Sequence, residues 1–180
     1  MPVRVQPAMH YAAPWWLPGG NLQTIWAALR SRRFLGAKPV FRRERWMTPD
    51  DDFVDVDWLA GDASSAPERP LLVVFHGLEG SSASHYAEAL ADAARERGWA
   101  CAIPHFRGCS GELNLAPRAY HSGDFTEIDW ILRRFAGQHT GPVVAVGISL
   151  GGNALMRWAG EMGAAAREVV AGPALSLIHI

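Results

Sequence analysis

Ser149 is the residue from which chemistry can be argued first. It stands in Gly147-Ile148-Ser149-Leu150-Gly151, behind the β-branched residues Val143, Val144 and Val146 and ahead of Ala154, Leu155, Met156, Trp158 and Ala159, a helix-forming run. Strand, sharp turn and helix with a serine at the turn is the pattern of a nucleophile elbow, Gly-x-Ser-x-Gly. The spacing has a physical reason. A strained backbone lifts the hydroxyl above the sheet edge, and a side chain two residues to either side would strike the neighbouring strand or helix, so glycine stands in both places. The helix starting beneath the serine turns its first N–H groups toward developing negative charge. Given a base, such a serine attacks an acyl carbonyl. The plain alternative is a tight turn carrying an ordinary serine.

A second stretch bears on the same chemistry. Leu71-Leu72-Val73-Val74-Phe75 is a continuous apolar run, as expected of a buried parallel strand, and it ends in His76-Gly77-Leu78-Glu79-Gly80-Ser81-Ser82. The loop after this strand is expected to supply one N–H to an oxyanion, and the residue after the serine another. These are the backbone N–H groups of Leu78, with Glu79 the near alternative, and of Leu150. His76 precedes the serine in the chain and is expected to brace the loop rather than to act as base. Arg107, in the loop His105–Glu112, either binds a substrate carboxylate or pairs internally and holds its loop. Cys101 falls in an apolar strand as a small hydrophobe and Cys109 in a Gly-rich loop as a structural thiol; neither has metal-ligand spacing around it, and no cofactor or metal is expected. Asp50–Asp52 make a polar hairpin turn in preference to a metal site.

These residues need elements to hold them. Phe41–Thr48 and Phe53–Leu59 are expected strands, the second alternating Phe53, Asp55, Asp57 against Val54, Val56, Trp58, which suits an antiparallel hairpin at a sheet edge with one face wet. Residues 61–70 form a surface loop. Ser84–Arg97 carries the helical stripe Ala87, Leu90, Ala91, Ala94, with Gly98 as its stop, and Trp99–Pro104 is the next strand. Asp124 and Glu127 have capping-box spacing ahead of a stripe of Phe125, Ile128, Leu132 and Phe135. After the serine's helix, Val169-Val170-Ala171 has the composition of one more buried strand. The alternation implies a mostly parallel sheet with helices on both faces, joined by right-handed crossovers.

Composition narrows the classes. At 180 residues, 49% hydrophobic and 19% charged, the chain suits one globular domain, and a net charge of -1 gives no reason to expect nucleic acid or an anionic membrane as partner. No apolar run is long enough to span a bilayer, and the prolines and aromatics near the start do not suit a signal peptide, so a soluble cytoplasmic protein is expected. Residues 1–40 form an N-terminal aromatic and basic extension, in which Pro14–Gly20 is expected to pack on the domain and Arg30, Arg32 and Arg33 to form a solvated face. Eight tryptophans imply either a packed aromatic core or an apolar groove for an acyl substrate.

Several segments together carry a resemblance. They are Pro14-Trp15-Trp16-Leu17, Asn21-Leu22-Gln23-Thr24, His76–Ser82, Arg107–Glu112, Arg118-Ala119-Tyr120-His121-Ser122-Gly123-Asp124 and Gly147–Asn153. In this order they resemble the YheT-like branch of the α/β-hydrolase superfamily, to about Ala174. The resemblance implies the N-terminal part of an α/β-hydrolase domain over residues 41–174. It also implies a serine carboxylesterase-like activity on short-chain or monoacylglycerol-type esters, small molecules with Ser149 as nucleophile. The superfamily's triad runs serine, acid, histidine. After Ser149 come only Glu161, Glu168 and His179, none at the C-terminal end of a later strand. Residues 175–180, Leu-Ser-Leu-Ile-His-Ile, look like translated sequencing-adapter DNA and are expected to be non-native, with the acid and base lying beyond residue 174 in the intact protein. The 180-residue chain is therefore expected to be inactive. A non-catalytic binding or scaffold protein, or an acyltransferase, are the competing readings.

Overall fold

The computed structural model describes residues 12–30, 36–61 and 68–176. Two compact units divide the chain, Met1–Arg32 and Arg33–Ile180. In the first, a turn closed by the Leu17 N–H on the Pro14 carbonyl (2.9 Å) leads into helix α1 (Gly20–Arg30). Trp16 and Trp26 meet edge to face at 5.0 Å. Arg32 and Arg33 of the basic run, and residues 62–67 of the expected surface loop, lie outside the described residues.

The second unit is a six-stranded sheet with helices on both faces. Its elements are β1 (Phe41–Met47), β2 (Phe53–Leu59), β3 (Leu71–Phe75), α2 (His85–Glu96), β4 (Ala100–Pro104), α3 (Phe125–Gln138), β5 (Val143–Ile148), α4 (Leu150–Met162), α5 (Ala166–Val169) and β6 (Gly172–Ser176). Across the sheet the order is β1-β2-β4-β3-β5-β6. β1 and β4 flank β2 antiparallel, while β4, β3, β5 and β6 run parallel. The apolar strand β3 therefore sits between two parallel neighbours, as its unbroken run of hydrophobes requires.

Alternation along β3 divides the core. Leu71, Val73 and Phe75 face Ile128, Leu132, Phe135, Leu155 and Trp158, from α3 and α4; Leu72 and Val74 face Ala87, Ala91 and Ala94 of α2 with Cys101 and Ile103. Of the tryptophans, Trp46 and Trp158 are fully buried and belong to the core, whereas Trp15 is 90% exposed.

Three elements differ from the sequence expectation. The aspartate face of β2 is not wet. Asp55 and Asp57 are buried, and in the antiparallel register each stands opposite an arginine of β1 that grips it with two hydrogen bonds, Arg45 on Asp55 (2.8 and 2.8 Å) and Arg43 on Asp57 (2.7 and 2.9 Å). Paired charges can be buried where single ones cannot. The last strand lies further on than Val169–Ala171. Ala166–Val169 is helical, Val170 turns extended, and the Ala171 N–H makes the first sheet contact on the Val143 carbonyl (2.8 Å) before β6 pairs Val144 to Ile148 with Gly172 to Ser176. The valines are apolar because they cover the core beneath the turn (Val169 7%, Val170 2% exposed), a burial that resembles that of a strand in composition. β6 takes in Leu175 and Ser176; residues 177–180, with His179, lie outside the described residues. Finally, Asp124 occupies the N-cap of α3 without making a side-chain cap, because its carboxylate takes Arg118 (2.5 Å) and that of Glu127 takes Arg107 (2.5 Å).

Candidate active site

Ser149 joins β5 to α4 with φ 51° and ψ −112°, one of three non-glycine residues with positive φ among those described. An L-residue holds that conformation only when its surroundings fix it. Here two glycines do so. A Cβ on Gly147 would lie 2.5 Å from the Gly151 carbonyl oxygen and 2.6 Å from Gly152 Cα; a Cβ on Gly151 would strike the carbonyl of Phe75 and lie 2.5 Å from that of His76. The elbow is thus wedged between the first turn of α4 and the end of β3.

Beside it runs the loop after β3. Pairing of Phe75 with Gly147 brings the C-terminal ends of β3 and β5 together, and a Cβ on Gly77 would lie 3.4 Å from Ser149 Cβ. Residues 77–80 form a tight turn, closed by the Gly80 N–H on the Gly77 carbonyl (3.0 Å), with Glu79 at φ 53° in the place that takes positive φ. Within this turn the Gly77 N–H donates to the Tyr86 hydroxyl (2.9 Å) and the Glu79 N–H to the Tyr120 hydroxyl (3.0 Å). The Leu78 N–H has no acceptor among the described residues. Leu150 is the first residue of α4, whose opening N–H groups have no intrahelical partner; the first helical bond is from Asn153 to the Ser149 carbonyl (3.0 Å). Among the described residues the N–H groups of Leu78, in the loop beside Ser149, and of Leu150, next in the chain, thus have no acceptor, while that of Glu79 is engaged.

His76 is fully buried with both ring nitrogens committed. Its Nδ1–H donates to the Gly77 carbonyl (2.7 Å), and its Nε2 accepts the Phe106 N–H (3.0 Å). That assignment fixes a neutral tautomer, and burial pushes its pKa down to about 4. The ring braces the two loops at the ends of β3 and β4. His105 is likewise held inside, its Nε2 2.8 Å from Asp57 Oδ2, which also accepts from Ser82 (2.6 Å). Burial pushes the Asp57 carboxyl up, but hydrogen bonds from Arg43, His105 and Ser82 outweigh it and hold the group far below the usual carboxylate range. Among the described residues no side chain makes a hydrogen bond to Ser149 Oγ.

Arg107 pairs internally. Each of its three nitrogens donates to a carboxylate: Nε to Glu127 (2.5 Å), Nη1 to Asp52 (2.7 Å) and Asp50 (2.9 Å), Nη2 to Asp50 (3.1 Å). The Asp50 pKa falls to about 2, chiefly through Arg107. The acidic turn thus binds a guanidinium, and a cavity of about 260 Å³ lined by Thr48, Arg107, Glu127 and Trp130 lies at this hub. Cys101 is buried and its thiol pushed up to about 12; burial also raises Cys109, so neither is a thiolate nucleophile. No helix among the described residues is long and apolar enough to cross a membrane.

Sequence reasoning missed the two tyrosines that hold the turn. A hydroxyl that meets a backbone N–H nine or 41 residues away leaves no local pattern to find.

Known proteins are similar to this chain. Residues 70–171 match the family described as alpha/beta hydrolase fold. YheT of Escherichia coli (strain K12), named as a candidate esterase, is 50% identical over 136 residues, 75% of this chain and 39% of its own length. Human phospholipase ABHD3 is 29% identical over 155 residues, 82% of this chain and 37% of that protein. The chain thus spans well under half the length of these relatives. Among solved structures, an α/β serine hydrolase of Xanthomonas campestris described as lacking a lid aligns with a TM-score of 0.55 at 18% identity, over 72% of this chain and 59% of that one. A Pyrococcus furiosus esterase aligns with a TM-score of 0.55 at 14% identity, over 75% and 52%. At such identities these two speak for the fold alone. With half its length matched by the family, and with the sheet order and elbow described above, the chain belongs to the α/β hydrolase fold family and is YheT-like within it.

Proposed function

We propose that this chain carries the nucleophile and oxyanion-binding half of a serine hydrolase acting on carboxylic esters of short-chain or monoacylglycerol type. One observation carries the reading: Ser149 sits at φ 51° over the N-terminus of α4 and against the loop that bears a free Leu78 N–H. In this mechanism Ser149 Oγ attacks the ester carbonyl while a base takes its proton. The carbonyl oxygen, becoming negative, is held by the N–H groups of Leu78 and Leu150. The alcohol leaves on reprotonation, and water releases the acid by the same path. The strain at Ser149 and the fixed turn at Leu78 are spent before substrate arrives, so no reorganisation is needed as charge develops. The base belongs to sequence beyond the residues described. The two unpaired cysteines agree with action in a reducing, cytoplasmic compartment.

The test uses the complete gene product containing this chain. Ser149 is expected to be the residue labelled by a fluorophosphonate, and Ser149→Ala to abolish both labelling and hydrolysis of p-nitrophenyl butyrate. Turnover that persists in Ser149→Ala would overturn the reading. That no described side chain makes a hydrogen bond to Ser149 Oγ favours a second reading for these residues by themselves, a hydrolase fold without catalysis.

A further inference from the structure

We infer that Tyr86 and Tyr120 are positioning residues that select which N–H of the loop after β3 serves the oxyanion. The inference rests on the serine hydrolase reading and deepens it. Three consecutive peptide N–H groups, those of Gly77, Leu78 and Glu79, lie in the turn beside Ser149. An oxyanion site needs a donor aimed at one point, and neighbouring donors that are free to swing toward the same charge would smear it.

The two hydroxyls remove that freedom. Tyr86, in the first turn of α2, accepts the Gly77 N–H (2.9 Å), and Tyr120, in the segment before α3, accepts the Glu79 N–H (3.0 Å). The Gly77 carbonyl is fixed as well, by His76 Nδ1–H (2.7 Å) and the Gly80 N–H (3.0 Å). The Leu78 N–H alone is left over, between two capped neighbours.

Each tyrosine is itself held. A Cβ on Gly80 would strike the Tyr86 hydroxyl, so the turn wraps closely around that oxygen and admits no side chain there. The Tyr120 ring stacks on Phe106 (5.3 Å between centroids, 13° between planes), and the Phe106 N–H is bonded to His76 Nε2 (3.0 Å). Tyr120, Phe106, His76 and the turn thus form a closed circuit. The Tyr120 hydroxyl also lies 3.3 Å from Glu79 Oε1, to which it donates its own hydrogen while accepting the N–H of the same residue. That pair of contacts holds Glu79 in its positive-φ conformation, which a glutamate does not favour by itself.

The experiment is Tyr120→Phe in the complete gene product, with rates divided by the concentration of serine that a fluorophosphonate titrates. Losing an oxyanion donor outright costs about 10²–10³ in kcat, and a donor left in place but loosened is expected to cost about tenfold. The expected result is that fall in kcat with KM within twofold. The inhibition constant of an alkylboronic acid, which forms a tetrahedral anion on the serine, is expected to rise by the same factor as kcat/KM falls. Tyr86→Phe, which frees the Gly77 N–H instead, is expected to behave alike and serves if Tyr120→Phe does not fold. The inference is overturned if kcat per titrated serine stays within twofold of the parent, or if KM alone rises. It is also overturned if boronate affinity is unchanged while kcat falls. Absence of labelling at Ser149 in the parent would instead overturn the hydrolase reading on which the inference stands.

Discussion

His76 shows how a titratable residue beside the proposed nucleophile can be structural. Its two nitrogens close one bond on each side, and the proton on Nδ1 is fixed by the Gly77 carbonyl. A second proton on Nε2 would face the Phe106 N–H in a buried site. The folded pKa of about 4 lies below the ordinary 6.5, so the unfolded chain binds the proton more readily. Stability from this residue is complete above pH 6.5 and is lost as pH falls toward 4, about 3 kcal/mol across that window. Urea midpoints measured from pH 7 to pH 4 should fall, and in His76→Asn they should start lower and decline less. A wild-type profile that stays flat to pH 4.5 would contradict the neutral brace. Below pH 4 the loss passes to carboxylates such as Asp50, whose pKa of about 2 lies below its ordinary 3.8.

At the scale of elements, Arg107 ties three pieces together: the β1–β2 turn through Asp50 and Asp52, the loop after β4 on which it stands, and the first turn of α3 through Glu127. Burial raises the Glu127 pKa against the pull of Arg107, so the carboxyl depends on its partner to stay charged. Removing the guanidinium leaves Glu127 buried without the cation that pairs with it and leaves Asp52 with neutral donors alone, the Leu115 N–H (2.7 Å) and Asn114 (3.3 Å), which is expected to cost about 3–5 kcal/mol. Arg107→Met should therefore lower the denaturation midpoint sharply, and Arg107→Met with Glu127→Leu should recover part of it; a loss below about 1 kcal/mol would sink the idea that the hub locks α3. Such ties explain what was legible from sequence. The stripes of α2 and α3, the helix-forming run of α4, the apolar run of β3 and the close fit of the glycines around Ser149 follow from local periodicity and spacing, and they appear as expected. The dry aspartate face of β2, the unmade cap at Asp124 and the tyrosine contacts at Gly77 and Glu79 depend on partners far along the chain. The alternation of Asp55 and Asp57 predicted their common face correctly, but only the register with Arg45 and Arg43 decides that the face is buried.

For the whole molecule, the proposed reaction turns on which of its parts the described residues hold. These residues hold a strained serine, two N–H groups with no acceptor among them and the loops that fix those groups, and within them no hydrogen bond reaches Ser149 Oγ from a base. Expressed alone, the 180-residue chain is expected to hydrolyse p-nitrophenyl butyrate about 10⁴-fold or more slowly than the complete gene product. Comparable rates per mole of protein would show that a base lies within it. The sheet order has a further consequence, which concerns synthesis. β2 is bonded to β4, although β3 comes next in the chain. As the polypeptide leaves the ribosome at about 5–20 residues per second, the outer edge of β2 waits a few seconds for its partner while the apolar β3 is already present. Pairing β3 with β2 in that interval would trap the wrong order. Asp55 and Asp57, gripped by Arg45 and Arg43 of the preceding strand, line one face of the waiting strand, and pairing with the unbroken hydrophobes of β3 would set apolar side chains beside these ion pairs, which is unfavourable. Such an ion-paired face is expected to act as a gatekeeper against β3 and to keep the place open for β4, after which His105 adds its bond to Asp57 (2.8 Å).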